Sequence, residues 1–239
     1  MGLSSNVYAA CDNQNTLSVG IGTEWAPYLI FKEGRVDGID ADITRTILSG
    51  AGFCAKFVKM PSYKRSLIQF EKGIIDVIPA ASFSESRQKI ARFSLPYRHE
   101  RMRLFTKKPI IHTTLRELFA AKYSFSVNPG AYYGDKFEQL KNLPDNRPYI
   151  FEVKSVSQRL KLLQLDRVDY ILEDELAGQY YVEKHKFDDI QMHPYIVNND
   201  AIYLMLNDLT LSNQDIERIN KAILHHQREV PAIVKKYLN

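Results

Sequence analysis

The first hundred residues alternate short apolar runs with amphipathic stretches stopped by glycine, and this alternation constrains the fold more than any other feature of the chain. Residues 16–21 read as a strand, and Asp37-Gly38 as a turn. Residues 39–51 form a helix with Ile39, Ile43 and Ile47 on one stripe, halted by Gly50 and Gly52. A second strand at 55–59 leads to a helix at 63–72 that carries Leu67, Ile68 and Phe70 and stops at Gly73, before a third strand at 75–79. Period-two runs separated by period-3.6 runs make strand–helix–strand units, which pair their strands in parallel and cover the sheet with helices.

The pattern changes at residues 101–106, an extended segment that reads as a strand leaving this first unit. A second α/β unit follows. Thr114-Leu115-Arg116-Glu117 is a capping box that opens a short helix. Strands are expected at 124–128, 150–153 and 168–172, and helices at 133–140, from Ser155 to about Leu165, and at 174–184. After His193-Pro194, residues 201–206 read as a strand returning to the first unit, followed by a helix from Gln214, capped by Ser212, to about Arg228 and a last helix at 231–238. The expected organisation is an α/β chain of two lobes, residues 1–100 with 196–239 and residues 101–195, joined by two crossings. Sheets of this kind bind ligands at the carboxyl ends of their strands, so the cleft between the lobes is the expected site.

Composition narrows the function. With 45% hydrophobic and 25% charged residues, the 239-residue chain can bury a substantial core. Its net charge of +4 is spread along the sequence, with no basic run longer than pairs such as Lys64-Arg65, Lys107-Lys108 and Lys235-Lys236, so nucleic acid is not an expected partner. No apolar run approaches the roughly 20 residues of a spanning helix. Asn6-Val7-Tyr8-Ala9-Ala10-Cys11 has the small residues of a signal-peptidase site without the preceding basic and apolar regions, and reads as the stub of an export signal. In an exported chain Cys11 and Cys54 would form a disulfide, while in a reducing compartment they would be two thiols; lipidation of Cys11 fits poorly with Tyr8 upstream. The six histidines, with only His225-His226 adjacent, show no three-ligand spacing, so neither metal nor cofactor is expected. Hydrolase elbows, phosphate loops and dinucleotide fingerprints do not occur.

The segment from Ile74 to Arg87 carries the most chemistry. An apolar run feeds the small-residue turn Pro79-Ala80-Ala81-Ser82, then Ser84 caps a helix expected from 85 to about 92 with Arg87 on its first turn. A guanidinium beside the N–H groups of a helix start can fork onto a planar carboxylate.

The order and spacing of several motifs resemble the extracellular solute-binding proteins of family 3, the amino-acid-binding receptors of bacterial uptake transporters. The likeness runs from Trp25-Ala26-Pro27-Tyr28 through Asp37-Gly38-Ile39-Asp40-Ala41-Asp42, Gly73-Ile74-Ile75-Asp76-Val77, Ser84-Glu85-Ser86-Arg87 and Phe93-Ser94-Leu95-Pro96-Tyr97 to Val168-Asp169-Tyr170-Ile171-Leu172-Glu173-Asp174. It implies a type II periplasmic-binding-protein fold whose lobes close on a small zwitterionic ligand, a polar amino acid. By the same resemblance, Arg87 pairs with the ligand carboxylate, helped by Ser82 and by backbone N–H groups after Gly130, at Ala131 and Tyr132. Asp174 and the Ala80 carbonyl take the ammonium, with Glu173 or Glu175 as alternatives. Trp25 and Tyr63 lie against the ligand side chain, and Glu24 can select a basic or hydroxylated one. The resemblance further implies a periplasmic monomer without catalytic residues that delivers its ligand to the membrane permease of an ABC transporter.

Asp76 and Asp169 are expected to end strands and hold turns. Departures from the family pattern at Pro79-Ala80-Ala81 and Ala131 remove hydroxyls, Tyr132 and Tyr133 narrow the pocket, and Lys64, Arg65 or Arg98 would shift the preference towards an anion. Two other functions share the fold: a ligand-sensing receptor domain, and a cyclohexadienyl-dehydratase-like enzyme in which Glu173 or Glu175 is the general acid.

Overall fold

The computed structural model describes residues 15–238. In the first lobe β1 (Thr16–Ile21) pairs in parallel with β4 (Cys54–Lys59) along its whole length and with β5 (Val77–Ser82) at Val19↔Val77. The hairpin β2 (Ile30–Lys32) and β3 (Arg35–Asp37) is an addition to the expected pattern, turned by Gly34 at φ +72°. Helix α1 (Ile39–Gly50) buries Ile39, Ile43 and Ile47, as the stripe requires. Helix α2 (Tyr63–Glu71) starts at Ser62, whose hydroxyl accepts from the Arg65 N–H.

Helix α3 (Glu85–Gln88) is capped by Ser84 but ends four residues short of its expected limit. The chain there is recruited to β6 (Arg92–Phe93), and the pairing with a later strand outweighs one more helical turn. The crossing strand β7 (Arg98–Thr106) is followed by α4 (Leu115–Ala120), β8 (Phe125–Val127), α5 (Asp135–Lys141), β9 (Ile150–Glu152), α6 (Val156–Gln164), β10 (Tyr170–Asp174) and α7 (Glu175–His185). The return strand β11 (Gln191–Leu206) leads to α8 (Asn213–His226) and α9 (Val230–Leu238). The capping boxes at Thr114/Glu117 and Ser212/Asp215 both form.

Most strands join one mixed sheet in the order β4-β1-β5-β11-β7-β10-β8-β9. Its centre is the antiparallel pair β7·β11, whose register runs from Gln191↔Thr106 to Ile202↔Arg98. Both strands are longer than the sequence pattern implies. His193-Pro194 reads as a break, yet β11 passes through it with register shifts on either side of Ile196, and a proline without an N–H is tolerated at such an irregularity. The two crossings are therefore one continuous ribbon that belongs to both lobes.

Each lobe ties its strands with the same device. The Asp76 carboxylate accepts from the Ser18 N–H and hydroxyl, each at 2.7 Å, and Asp169 accepts from the Ser124 N–H at 2.9 Å and hydroxyl at 2.8 Å. Both aspartates stand one residue before a strand, β5 and β10, rather than ending one as expected, and each ties that strand's start to a neighbouring strand instead of holding a turn. The first-lobe core gathers Val19, Ile39, Ile43, Ile47, Leu204 and Ile219, and the second-lobe core Leu104, Phe119, Phe125, Phe137 and Tyr170. Gly178 lets α7 lie directly on β7, since a Cβ there would collide with the Phe105 ring.

Cys54 opens β4 opposite Thr16, so the strand neighbourhood on which the disulfide expectation rests is present. Cys11 and the export-signal stub lie outside the described residues. Among the described residues no helix is long and apolar enough to cross a membrane, and no group of His, Cys, Asp and Glu side chains is arranged to hold a metal ion.

Candidate functional site

The carboxyl ends of β1, β5 and β10 and the start of β7 face a cleft of about 100 Å³ between the lobes. Of the residues expected to form a site, Glu24, Trp25, Tyr63, Ala80, Ser82, Arg87, Ala131 and Tyr132 line it, as does Glu173, named as an alternative to Asp174. The wall also contains Glu100, Asn128, Tyr133, Lys154 and Arg159.

Arg87 is buried on the first-lobe wall. Its Nη1 donates to the Ser82 carbonyl at 2.8 Å and its Nη2 to the Gly130 carbonyl of the other lobe at 3.1 Å, while the guanidinium lies 5.2 Å from the Tyr63 ring centroid. The stack and the two carbonyls hold the fork in one orientation and leave its other N–H groups for an anion in the cleft. Gly130 contributes through this carbonyl, at φ +79°, and is not part of the cleft wall. The Ala131 N–H, expected to meet a carboxylate, is spent on the Asn128 carbonyl at 3.1 Å.

The turn that carries Ala80 is a β-bulge. Between Ile78↔Met205 and Ala81↔Tyr203 the strand β5 holds one residue more than β11. Pro79, which has no N–H to offer the ladder, and Ala80, at φ +57°, occupy the excess. A positive φ is strained for alanine, and it sits on the cleft wall. Ser82 then directs its hydroxyl to Glu100 Oε1 at 3.0 Å.

Asp174 is placed differently from the expectation. It is 1% exposed and does not line the cleft. Its Oδ1 caps α7 by accepting from the Leu176 and Ala177 N–H groups at 2.9 and 3.1 Å, and Tyr28 hydrogen-bonds the same carboxyl. Burial pushes its pKa up to about 6 against the pull of Arg98. The preceding residue, Glu173, reaches the cleft instead, because successive strand residues point to opposite faces. Its Oε2 is paired with Arg159 Nη2, and its Oε1 accepts from Trp25 Nε1 at 2.7 Å and from the Asp174 N–H at 3.1 Å. Glu175 is tied to Arg103 at 2.9 Å and is absent from the cleft wall. Glu24 is exposed and accepts from the Phe31 N–H at 3.2 Å.

Beneath the cleft, Arg98 donates through Nε and Nη2 to the two oxygens of fully buried Asp40, at 2.7 and 2.8 Å. It stacks 4.2 Å from the Tyr28 ring centroid. Its charge is committed there, so neither Arg98 nor the exposed Lys64 and Arg65 supplies a cleft cation. Two wall residues escaped the sequence reading although a signal existed for each. Arg159 occupies the buried stripe Val156, Arg159, Leu160, Leu163 of α6, and Glu100 the inward phase Arg98, Glu100, Met102, Leu104 of β7. A charge in register with core residues marks a group held inside for a reason other than solvation.

Hydrogen bonds cross the cleft from Trp25 to Glu173, from the Ala26 N–H to the Tyr181 hydroxyl at 3.2 Å, and from Arg87 to Gly130. Two α/β lobes that share a central ribbon and meet over a charged, aromatic-lined cleft define a two-lobed ligand-binding protein with a type II periplasmic-binding-protein fold.

The chain belongs to the bacterial extracellular solute-binding proteins, family 3, whose profile matches residues 17–239. Its fold is similar to that of a histidine kinase sensor domain (TM-score 0.80, 18% identity, 94% of this chain and 96% of that one). It is equally similar to an ancestral arginine-binding protein bound to arginine (TM-score 0.79, 20% identity, 94% and 99%). In sequence it is 22% identical over 180 residues to the virulence sensor protein BvgS of Bordetella pertussis, a match covering 75% of this chain and 14% of that protein.

Proposed function

We propose that this protein captures a small zwitterionic solute, a polar amino acid, by closing residues 1–100 with 196–239 onto residues 101–195. The observation that carries this reading is Arg87: a buried guanidinium on the cleft wall, oriented by two carbonyls and the Tyr63 ring, with donors left for a carboxylate. Trp25 and Tyr63 form apolar walls for the ligand's side chain, and Glu24 borders the opening. Asp174 is replaced in the proposal by a carboxylate that lines the cleft. Amino-acid-binding proteins among the structural relatives support the ligand class. The proposed receptor is exported and monomeric and delivers its ligand to an ABC-transporter permease, with Cys11 and Cys54 joined in an oxidising compartment; membership of an extracellular solute-binding family supports export and solute capture. The dehydratase alternative loses support, because both oxygens of Glu173 are engaged, by Arg159 on one and by Trp25 and the Asp174 N–H on the other, and Glu175 is bonded to Arg103 and absent from the cleft wall.

A second reading draws support from the sensor-domain relatives: the same clamp reports its ligand to a signalling partner instead of a permease. Thermal melting with the twenty L-amino acids, small peptides and carboxylates tests the common core. A bound ligand raises the melting temperature with its concentration, and Arg87→Ala is expected to abolish most of the shift. A panel without an amino-acid hit, or an unchanged shift in Arg87→Ala, overturns the reading. Transport and sensing separate in cells: loss of the gene removes ligand uptake in the first case and a transcriptional response in the second.

A further inference from the structure

Resting on the amino-acid reading above, we propose that Glu100 is the acceptor for the ligand's ammonium group, and that binding therefore expels a proton from this protein. The geometry leaves it as the candidate by what the other carboxylates already do. Glu173 is engaged on both oxygens, by Arg159 on one and by Trp25 and the Asp174 N–H on the other. Asp174 is buried away from the cleft beneath its helix and Tyr28. Glu24 is solvated and tied to Phe31. Glu100 is buried, lines the cleft, and accepts from Ser82 through Oε1 at 3.0 Å. Its Oε2 lies 3.8 Å from Arg98 Nη1, beyond hydrogen-bond distance, and among the described residues takes no hydrogen bond.

Glu100 is also correctly placed relative to Arg87. Ser82 joins the two: its carbonyl accepts from Arg87 and its hydroxyl donates to Glu100. A cation and an anion flanking a single residue match an α-amino acid, whose carboxylate and ammonium flank a single carbon.

The charges around Glu100 explain the proton. On its own strand Arg98 favours the carboxylate, but that guanidinium is shared with Asp40 of α1 and faces Asp174 of β10. Asp200 stands opposite Glu100 in β11, and Tyr63 and Tyr133 face it from α2 and from the turn before α5. Burial pushes the Glu100 pKa up to about 7; Arg98 and the Ser82 hydrogen bond oppose the rise, and Asp174 and Asp40 add to it. A ligand ammonium adds a cation where Arg98 is only partly available, and so favours the ionised form.

The test uses the intact protein and the L-amino acid giving the largest melting shift in the twenty-member panel, together with its deamino carboxylic acid. Titration calorimetry at pH 7 in buffers of different ionisation enthalpy should show about half a proton released per ligand. Affinity should weaken about tenfold from pH 8 to pH 6, as the competent carboxylate falls from most to about a tenth of the population. The deamino acid should bind without this pH dependence. Glu100→Gln, isosteric with the protonated form, should weaken the amino acid at least tenfold at pH 8 and flatten its profile. If that variant does not fold, the proton count and the two wild-type profiles decide alone. Binding without proton release, or a profile that the deamino acid shares, overturns the Glu100 assignment while leaving the amino-acid reading standing. A panel with no amino-acid hit overturns both.

Discussion

The Arg98–Asp40 pair is the most exacting place to test how the ribbon is held beneath the cleft. Asp40 is 0% and Arg98 9% exposed, and the carboxylate accepts two N–H bonds from Arg98 and one O–H bond from Tyr97 at 2.8 Å. Asp40→Ala leaves a buried guanidinium without its main counterion, which costs about 3–5 kcal/mol, and removes the acceptor of the Tyr97 hydroxyl, which costs about 1 kcal/mol more. Glu100 at 3.8 Å and Asp174 offset part of this as fallback counterions, so a net loss of about 3 kcal/mol is expected. That corresponds to roughly 6–12 °C in melting temperature for a chain of this size. The double substitution Asp40→Leu with Arg98→Met removes both charges and fills similar volume, and is expected to recover to within about 1 kcal/mol of the parent. Urea unfolding followed by circular dichroism, with an unchanged denaturant slope, measures each corner of the cycle. A single substitution costing less than about 1 kcal/mol, or a double one as unstable as the sum of its parts, would refute the account of a mutually dependent buried pair.

The ligand-free protein should be more stable in mild acid than above neutrality. The folded-state pKa values of Glu100, about 7, and Asp174, about 6, lie above their ordinary ones because of burial, so their contribution is full below about pH 4 and is lost as pH rises through 6 and 7. Glu100 alone accounts for about 3 kcal/mol of that loss, and urea titrations of Glu100→Gln should lack its share. Trp25→Phe removes the 2.7 Å bond to Glu173 across the cleft; it should leave melting of the ligand-free protein within about 1–2 kcal/mol but weaken ligand binding several-fold by calorimetry. Ala80→Gly relieves a φ of +57° at the bulge and should raise stability by about 0.5–1 kcal/mol in the same urea assay, the relieved strain exceeding the added unfolded-state entropy.

Much of this architecture was legible because its signals are local. The glycine stops, the apolar stripe of α1, the capping box at Thr114 and the cap at Ser212 act within a few residues, and each forms where the pattern places it. The long pairing of β7 and β11 was not legible, because it depends on partners about ninety residues apart, and that pairing carries β11 through His193-Pro194 where local propensity argues for a break. The site divides along the same line. Arg87, Ser82 and Ala80 belong to one continuous segment and fall together on the cleft wall. Asp174 and Glu173 are neighbours in sequence, and the choice between them turns on strand phase, which a shift of one residue inverts. The expected strand ends at 172, whereas β10 continues to Asp174, so the second carboxylate becomes the buried cap and the first becomes the wall.

Several uncompensated costs of the structure lie at the same cleft. Tyr63 Oη and Arg159 Nε are buried without a hydrogen-bond partner among the described residues, and both side chains line the wall. Ala80 holds a strained φ there, and Glu100 resists ionisation there. A folded chain places such costs where another interaction offsets them, since a buried donor left unpaired costs about 1–3 kcal/mol. A ligand with a carboxylate and an ammonium group supplies the missing complement: acceptors for the guanidinium donors and a cation for Glu100. The stability that the ligand-free protein loses as pH rises through neutrality is then the stability a bound ligand restores. The pH dependence of binding and the Glu100 share of the stability loss must have opposite sign and one titrating group, so Glu100→Gln should remove those two together and leave the Asp174 share in place.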